Sequence, residues 1–522
     1  MVIKNHWVAV GAYGYLLLPF LIFCLGFLRT IISIPILIIL CYVFYKLIER
    51  PEEGTLKFKK NELICGVLLI VIWVWLSGIG GFAFQNSDFH TRNAIFRDLV
   101  NYRWPVYYSG SGQNPTYTLI YYIGYWLPSA LVGKIVGWNA GQVSLYIWTV
   151  GGIVLTVTLL RMQTKASIPL VILLMVFFSG MDVIGAQFIR AAIDPNHYPV
   201  LWPPIMHLEW WAGSFQYSSF TTQLFWVFNQ AIPVWVCIAL HLAFSNPRRS
   251  LFLLSLCFFF APLPALGFIP FILLEIPQNT FHPENLSLKI RGFQPCTFLK
   301  NCWADLRPVA SYENLVGGSL IFIISYLYFS ANLISSSLRF FEFTNYSILV
   351  LSVFIPLEWF ILWILFAKKQ FRNLNWYFAG IILFICPLLV VGSGTDFVMR
   401  TSIPALFFLM VWSLEALVYP GKVYKTILIA VLAIGALTSL YEINRAVYRT
   451  TDFYFFPRNS QIQAGLIPQD ELLVTEHPEK DHPNSLLADS FFSFGNIQPE
   501  NAMNFVSDIN RSYLLKIIFK QP

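Results

Sequence analysis

Long apolar runs, broken by short polar stretches, recur along the entire chain. A helix rises 1.5 Å per residue, so roughly 20 apolar residues cover the hydrocarbon core of a bilayer. Runs that meet this length, or nearly so, lie near 7–28, 31–46, 63–83, 142–160, 167–183, 220–244, 251–262, 264–276, 314–330, 347–367, 376–392, 402–419 and 425–441. The pattern predicts an all-α, polytopic membrane protein with about thirteen transmembrane helices. The short pair at 251–276, joined at APLP (261–264), reads as a broken helical hairpin.

One segment decides the orientation of everything after it. YTLIYYIGYWLPSALVGKIVG (117–137) is apolar enough to be counted as a span. Its Tyr and Trp residues favour the headgroup level, and Pro128 interrupts a through-going helix, so an outer juxtamembrane helix is expected instead. The basic stretches 46–62, 161–165, 246–250, 368–372 and 421–425 then share one face, cytoplasmic by the positive-inside rule. Loop 277–313, with Lys289, Arg291, Lys300 and Arg307, joins them. The expected divisions are a hairpin and cytoplasmic loop (1–61), a catalytic module (62–276) with outer loops 84–141 and 184–219, a second transmembrane module (277–441), and an extracytoplasmic tail (442–522).

Composition supports this reading. Of 522 residues, 57% are hydrophobic and 12% charged, about half the charge of a soluble domain. The net charge of +7 follows from the loops between apolar runs and does not call for a nucleic acid. Six of eight cysteines (24, 41, 65, 237, 257, 386) lie in apolar runs, while Cys296 and Cys302 share a polar loop without zinc-finger spacing. The first run lacks a small-residue cleavage site and reads as a retained span.

Ionisable side chains gather where three polar stretches meet the predicted outer face: QNSDFHTRNAIFRDL (85–99), the region 180–223 with HLEWWAG, and GSGTDFVMR (392–400). Asp88 falls in the first turn of a predicted helix, with Ser87 as its expected cap, and a carboxylate at such a boundary is suited to general-base work. His90, Asn93 and Arg97 would share a face of that helix. A plainer alternative has Asp88 and Asp98 pairing with Arg92 or Arg103. Asp88, His90 and His207 carry donor atoms suited to a divalent cation, a weak signal because neither D-x-H nor H-x-E fixes a geometry. Glu209 is a further carboxylate beside them, and Asp182 another, at the end of a span. Arg400 could receive a phosphate through paired hydrogen bonds or pair with Asp396. Gln223 lies within or beside a span, where amides join helices or line a sugar pocket. No phosphate-binding loop or dinucleotide fingerprint occurs, so an activated substrate would arrive in the membrane.

The order of these features resembles the GT-C superfamily of integral-membrane glycosyltransferases, which includes protein O-mannosyltransferases and aminoarabinose transferases. An outer acidic loop follows a span and leads to an aromatic interfacial helix (YYIGYWLPSALVGKIVG), then to a span ending in basic residues (RMQTK). The resemblance covers mainly 62–276 and rests on layout. It implies a sugar donor on a polyprenyl phosphate and Asp88 as catalytic base. It makes His90, Arg92 and Asp98 tuning partners or substrate contacts. The acceptor, whether glycan, lipid or protein, is not implied. The hairpin at 7–46 and the D-F-H order in place of adjacent carboxylates depart from the family pattern. A bacterial plasma membrane is the expected location, with the site on the extracytoplasmic face. A polysaccharide polymerase or ligase acting on lipid-linked glycans, and a transporter or flippase, are the competing readings.

Overall fold

A computed structural model describes residues 2–50, 52–109, 116–190, 204, 207–275, 303–332, 338–392, 395–418, 422–455, 505–508 and 513–520. Cys296, Cys302, the basic residues at 289–300 and most of the expected tail lie outside these residues. Helices dominate. In chain order they are α1 (Asn5–Phe27), α2 (Thr30–Ile48), α3 (Lys60–Leu76), α4 (Asp88–Asn101), α5 (Leu127–Val136), α6 (Trp138–Thr164) and α7 (Ile168–Phe177). There follow α8 (Phe220–Ala243), α9 (Ser250–Phe260), α10 (Pro262–Glu275), α11 (Ser319–Phe329) and α12 (Asn345–Ile355). The series closes with α13 (Leu374–Ile385), α14 (Asp396–Thr401), α15 (Ile403–Val418) and α16 (Lys422–Phe455).

Among the described residues, seven helical stretches are long and apolar enough to cross a bilayer: 5–27, 30–48, 138–164, 168–187, 220–243, 345–365 and 424–452. The protein is membrane-embedded and mostly helical. The other expected spans form shorter apolar helices, α3, α9, α10, α11, α13 and α15. Helix α8 is buried from Phe220 to His241. Helix α2 instead leaves Ile31, Ile34 and Ile38 exposed, an apolar surface suited to lipid.

Three small antiparallel pairings tie the polar ends. Strands β1 (Val2–Lys4) and β2 (Thr55–Lys57) pair with Ile3 opposite Leu56. Strands β3 (Tyr107–Ser109), β4 (Thr116–Leu119) and β7 (Val506–Asp508) form a sheet with β4 in the middle, Thr118 facing Tyr107 on one side and Ser507 on the other. Strands β5 (Leu338–Phe340) and β6 (Leu389–Val391) form the third pair.

The basic stretches converge on one end. Arg161 reaches Glu62 (3.1 Å) and the Lys57 carbonyl (3.0 Å), Arg249 reaches Glu52 (2.6 Å), and Arg50 reaches Glu313 (2.9 Å). Lys369 lies over the Tyr424 ring there. The acidic and aromatic stretches occupy the opposite end.

The 117–137 segment is not a single helix. It runs as β4, a turn at Ile123–Trp126 and then α5, whose ten residues reach about 15 Å, half a hydrocarbon core. Helix α5 folds back on α4 and on the start of α6. A Cβ on Gly133 would stand 2.7 Å from Val100, and one on Gly141 3.1 Å from the Gly133 Cα. Lys134 donates to the carbonyls of Val100 and Tyr102, satisfying the open end of α4.

Two expected boundaries are corrected. The span expected at 425–441 continues as one helix to Phe455, so the polar tail does not begin at residue 442. Glu442, Arg445, Arg449 and Asp452 recur at helical spacing and are all buried, so their polarity does not end the helix. The span expected at 63–83 stops at Leu76, where Gly78, Gly80 and Gly81 take positive φ values of 80°, 89° and 76°.

Candidate functional site

The turn after α3 positions the first carboxylate. Gln85 donates to the Gly78 carbonyl (2.8 Å), and Asn93 donates to Gln85 Oε1 (2.9 Å). Asn86 donates to the Phe225 carbonyl (2.9 Å), beside the break in α8 at Val227. Its Oδ1 accepts from the Asp88 backbone N–H at 3.1 Å. Asn86, not the expected Ser87, therefore caps α4, because Ser87 already has helical backbone angles and its side chain makes no capping bond.

Asp88 then faces outward at the lip. Its side chain is 46% exposed and accepts from Arg92 Nη2 at 2.7 Å, while the Arg92 side chain is 7% exposed. Arg92 sits over the rings of Phe89 and Phe228, with Nη1 buried and unpartnered. The same arrangement occurs at α14. Asp396 is 49% exposed and accepts from Arg400 Nη2 at 2.9 Å, the Arg400 side chain is 11% exposed, and its Nε is buried and unpartnered.

Both pairs come from one local sequence, Asp-Phe-x-x-Arg: DFHTR at 88–92 and DFVMR at 396–400. Spacing of four places each arginine behind its carboxylate on a helical turn. The pairs also lie together. Burial would lower the Arg400 pKa, but Asp396, Tyr121, Tyr122 and Asp88 raise it. Burial pushes Tyr121 up to about 12, opposed by Arg400 and Arg92. Asp396, Tyr121, Tyr122 and Asp88 thus lie within electrostatic reach of Arg400.

A second polar network surrounds Glu209, His207 and Glu442. Glu209 accepts from the Ser219 backbone N–H (2.9 Å), Thr222 Oγ1 (2.6 Å) and Gln216 (3.1 Å), and so anchors the start of α8, where a helix dipole favours an anion. His207 stands 3.0 Å from Glu442 and 3.5 Å from Glu209. Burial would lower its pKa, yet the two carboxylates outweigh burial and push it up to about 10. Glu442 also accepts from Trp226 (2.8 Å) and Arg445 (3.1 Å). Arg445 and Arg449 lie over Phe84, and Phe84 N–H donates to Thr450 Oγ1 at 2.9 Å. The polar face of α16 thereby grips the turn that carries Asn86 and Asp88. Thr395, next to Asp396, reaches Gln216 at 3.5 Å and links the two networks.

The other expected site residues divide. Asp98 is fully buried; it accepts from Arg97 (2.8 Å) and Tyr108 (2.7 Å). Burial raises its pKa, and Arg97 and Tyr108 oppose the rise. It fastens α4 to β3. Asn93 and Gln223 are buried too, and Gln223 bridges the Ser218 carbonyl (2.8 Å) and Trp235 (3.0 Å). Glu209 and His207 serve the α8–α16 network. The side chain of His90 lies outside the described residues. Among the described residues no three His, Cys, Asp or Glu side chains converge as a metal site, and His207 engages Glu209 and Glu442.

Glu442, Arg445, Gln216 and Thr395 were not singled out by sequence. Glu442 was missed because the predicted span ended one residue before it. Asp182 and Glu358 form a further acidic contact. Asp182 accepts from Trp211 (3.1 Å) and Ser179 (3.2 Å), and Glu358 is buried against Gly180 and faces Asp182.

Comparison of the chain with protein families, with curated proteins and with solved structures finds no match.

Proposed function

We propose that the chain is an integral-membrane glycosyltransferase of GT-C type, with about thirteen spans, transferring a sugar from a polyprenyl-phosphate donor to an acceptor hydroxyl. The observation that carries this reading is Asp88: a half-exposed carboxylate in the first turn of α4, held by buried Arg92 and within electrostatic reach of Arg400. The acceptor O–H gives its proton to Asp88 as its oxygen bonds to the anomeric carbon. The bond from that carbon to the phosphate oxygen breaks, and the polyprenyl phosphate leaves with its charge facing Arg400. Tyr121 and Tyr122 supply aromatic faces beside the sugar. The end that carries Asp88 and Arg400 faces the extracytoplasmic side of a bacterial plasma membrane, and the basic end faces the cytosol.

Asp88→Asn keeps the shape of the side chain and removes the base. Transfer of radiolabelled sugar from a polyprenyl-phosphate donor in membranes should fall about 10²–10⁴-fold, with unchanged expression. Near-normal transfer would remove Asp88 from the mechanism. One observation favours a transporter instead: Asp182 and Glu358 meet inside the helical body, at a break in the 168–187 stretch, as expected of an ion or proton pathway. Proton flux in proteoliposomes, lost in Glu358→Gln and kept in Asp88→Asn, would establish that reading.

A further inference from the structure

Helix α3 has two unlike faces. Its inner face packs closely: a Cβ on Gly66 would stand 2.4 Å from Ile168 and 3.2 Å from Ile172, and Tyr146 donates to the Val71 carbonyl at 2.6 Å. On the outer face, Asn61, Ile64, Cys65, Leu68, Leu69 and Ile72 border a recess of about 310 Å³. These positions recur at helical spacing, so the recess follows the helix axis. From Asn61 to Ile72 it runs about 16 Å, close to half of a hydrocarbon core and so to the depth of one leaflet. Below Asn61 the lining is apolar, whereas a bound water needs about two to four polar partners. A single acyl chain matches the recess in both length and polarity.

Charge at the head of the recess selects the lipid. Lys60 stands one turn before Ile64 on the same side of α3, and Lys59 precedes it. Lys57, Lys59 and Lys60 are all exposed, and none forms a side-chain ion pair among the described residues. Of the carboxylates at 52–62, Glu52 is held by Arg249 (2.6 Å) and Glu62 by Arg161 (3.1 Å). Glu53 remains against three lysines, a surplus of two positive charges (3 − 1). We propose that this groove binds an anionic phospholipid from the leaflet at the basic end, with one acyl chain along Ile64–Ile72 and the phosphate beside Lys59, Lys60 and the Asn61 amide. Lysine stems lie along apolar surface while their ammonium groups reach the headgroup level. The site lies at the end opposite Asp88 and does not depend on the glycosyltransferase reading.

The test counts retained lipid. Full-length protein is reconstituted in phosphatidylcholine nanodiscs with dioleoyl phosphatidylglycerol as a minor component, and native mass spectrometry reads what stays bound on release. Wild type should keep a single phosphatidylglycerol per chain in preference to phosphatidylcholine. Lys59→Gln and Lys60→Gln should each weaken that retention about fivefold, the scale of one lysine near an anionic headgroup. Cys65→Trp and Leu68→Trp fill the groove at successive turns and should abolish retention. Both positions are exposed, so thermal unfolding should stay unchanged in these variants. Equal retention of the two lipids by wild type would overturn the proposal, as would full phosphatidylglycerol retention in the double variant Lys59→Gln/Lys60→Gln or in both tryptophan variants. Oxidative cross-linking of two chains in native membranes, lost in Cys65→Ser, would place a second copy in the groove and overturn the lipid assignment.

Discussion

At the scale of single residues, the decisive contrast is between carboxylates that are tied down and carboxylates that are offered. Asp98, Glu209 and Glu442 each accept two or more hydrogen bonds from inside the protein. Asp88 and Asp396 each accept from one arginine side chain and keep a half-exposed face. Only the second kind can meet a substrate. The first kind sets stability. Removing one partner of a buried ion pair leaves the other charge uncompensated, so Glu442→Gln should cost about 3–5 kcal/mol, read as a lowered midpoint of thermal unfolding in detergent. His207 adds a pH dependence. Its pKa is raised to about 10 in the folded protein, above the unfolded value of about 6.5. Its contribution is therefore complete below pH 6.5 and is lost as pH rises through about 10. Unfolding midpoints measured from pH 6 to 10 should fall in wild type and fall less in Glu442→Gln.

Elements show why the sequence could be read in some places and not others. The mostly helical, membrane-embedded character and the break of 117–137 into short elements were legible, because length, aromatic content and Pro128 act locally. The exposed position of Asp88 was legible for the same reason, since it lies in a polar stretch just after an apolar run. The extent of α16 was not legible, because polarity at 442–452 looks like the end of a span until its partners on other elements are known. The inward turn of Asp98 was likewise hidden, since Arg97 and Tyr108 claim it only once α4 meets β3. The fold-back of α5 depends on Gly133, and its test lies at this scale. Gly133→Val would drive a side chain into Val100, so we expect a loss of about 1–3 kcal/mol and release of Lys134 from the end of α4. Thermal unfolding together with faster hydrogen exchange at Tyr102 would record it.

For the whole molecule, segregation of its two polar ends is the property from which orientation follows. Lys59 is exposed near the basic end, and Glu342 is exposed beside β5 at the opposite end. With Lys59→Cys and Glu342→Cys variants, a membrane-impermeant maleimide should label position 342 in intact cells and position 59 only after permeabilisation. The reverse pattern would place Asp88 and Arg400 on the cytosolic side and remove the extracytoplasmic assignment. The central position of α8 carries a related meaning, since its broken turn at Val227 meets Asn86 from one side while its start is held by Glu209.

The middle place of β4 in its small sheet has a consequence for how the gene tolerates damage. The Phe505 carbonyl accepts from the Ile120 backbone N–H at 2.8 Å and its ring lies tilted against Tyr121, so the 505–508 segment braces the tyrosine nearest Arg400. A stop codon shortly before position 505 would spare every membrane-crossing helix described above and yet remove that brace. Such a truncated product should insert and fold while handling its ligand poorly, and late nonsense alleles should behave as functional nulls with normal protein abundance.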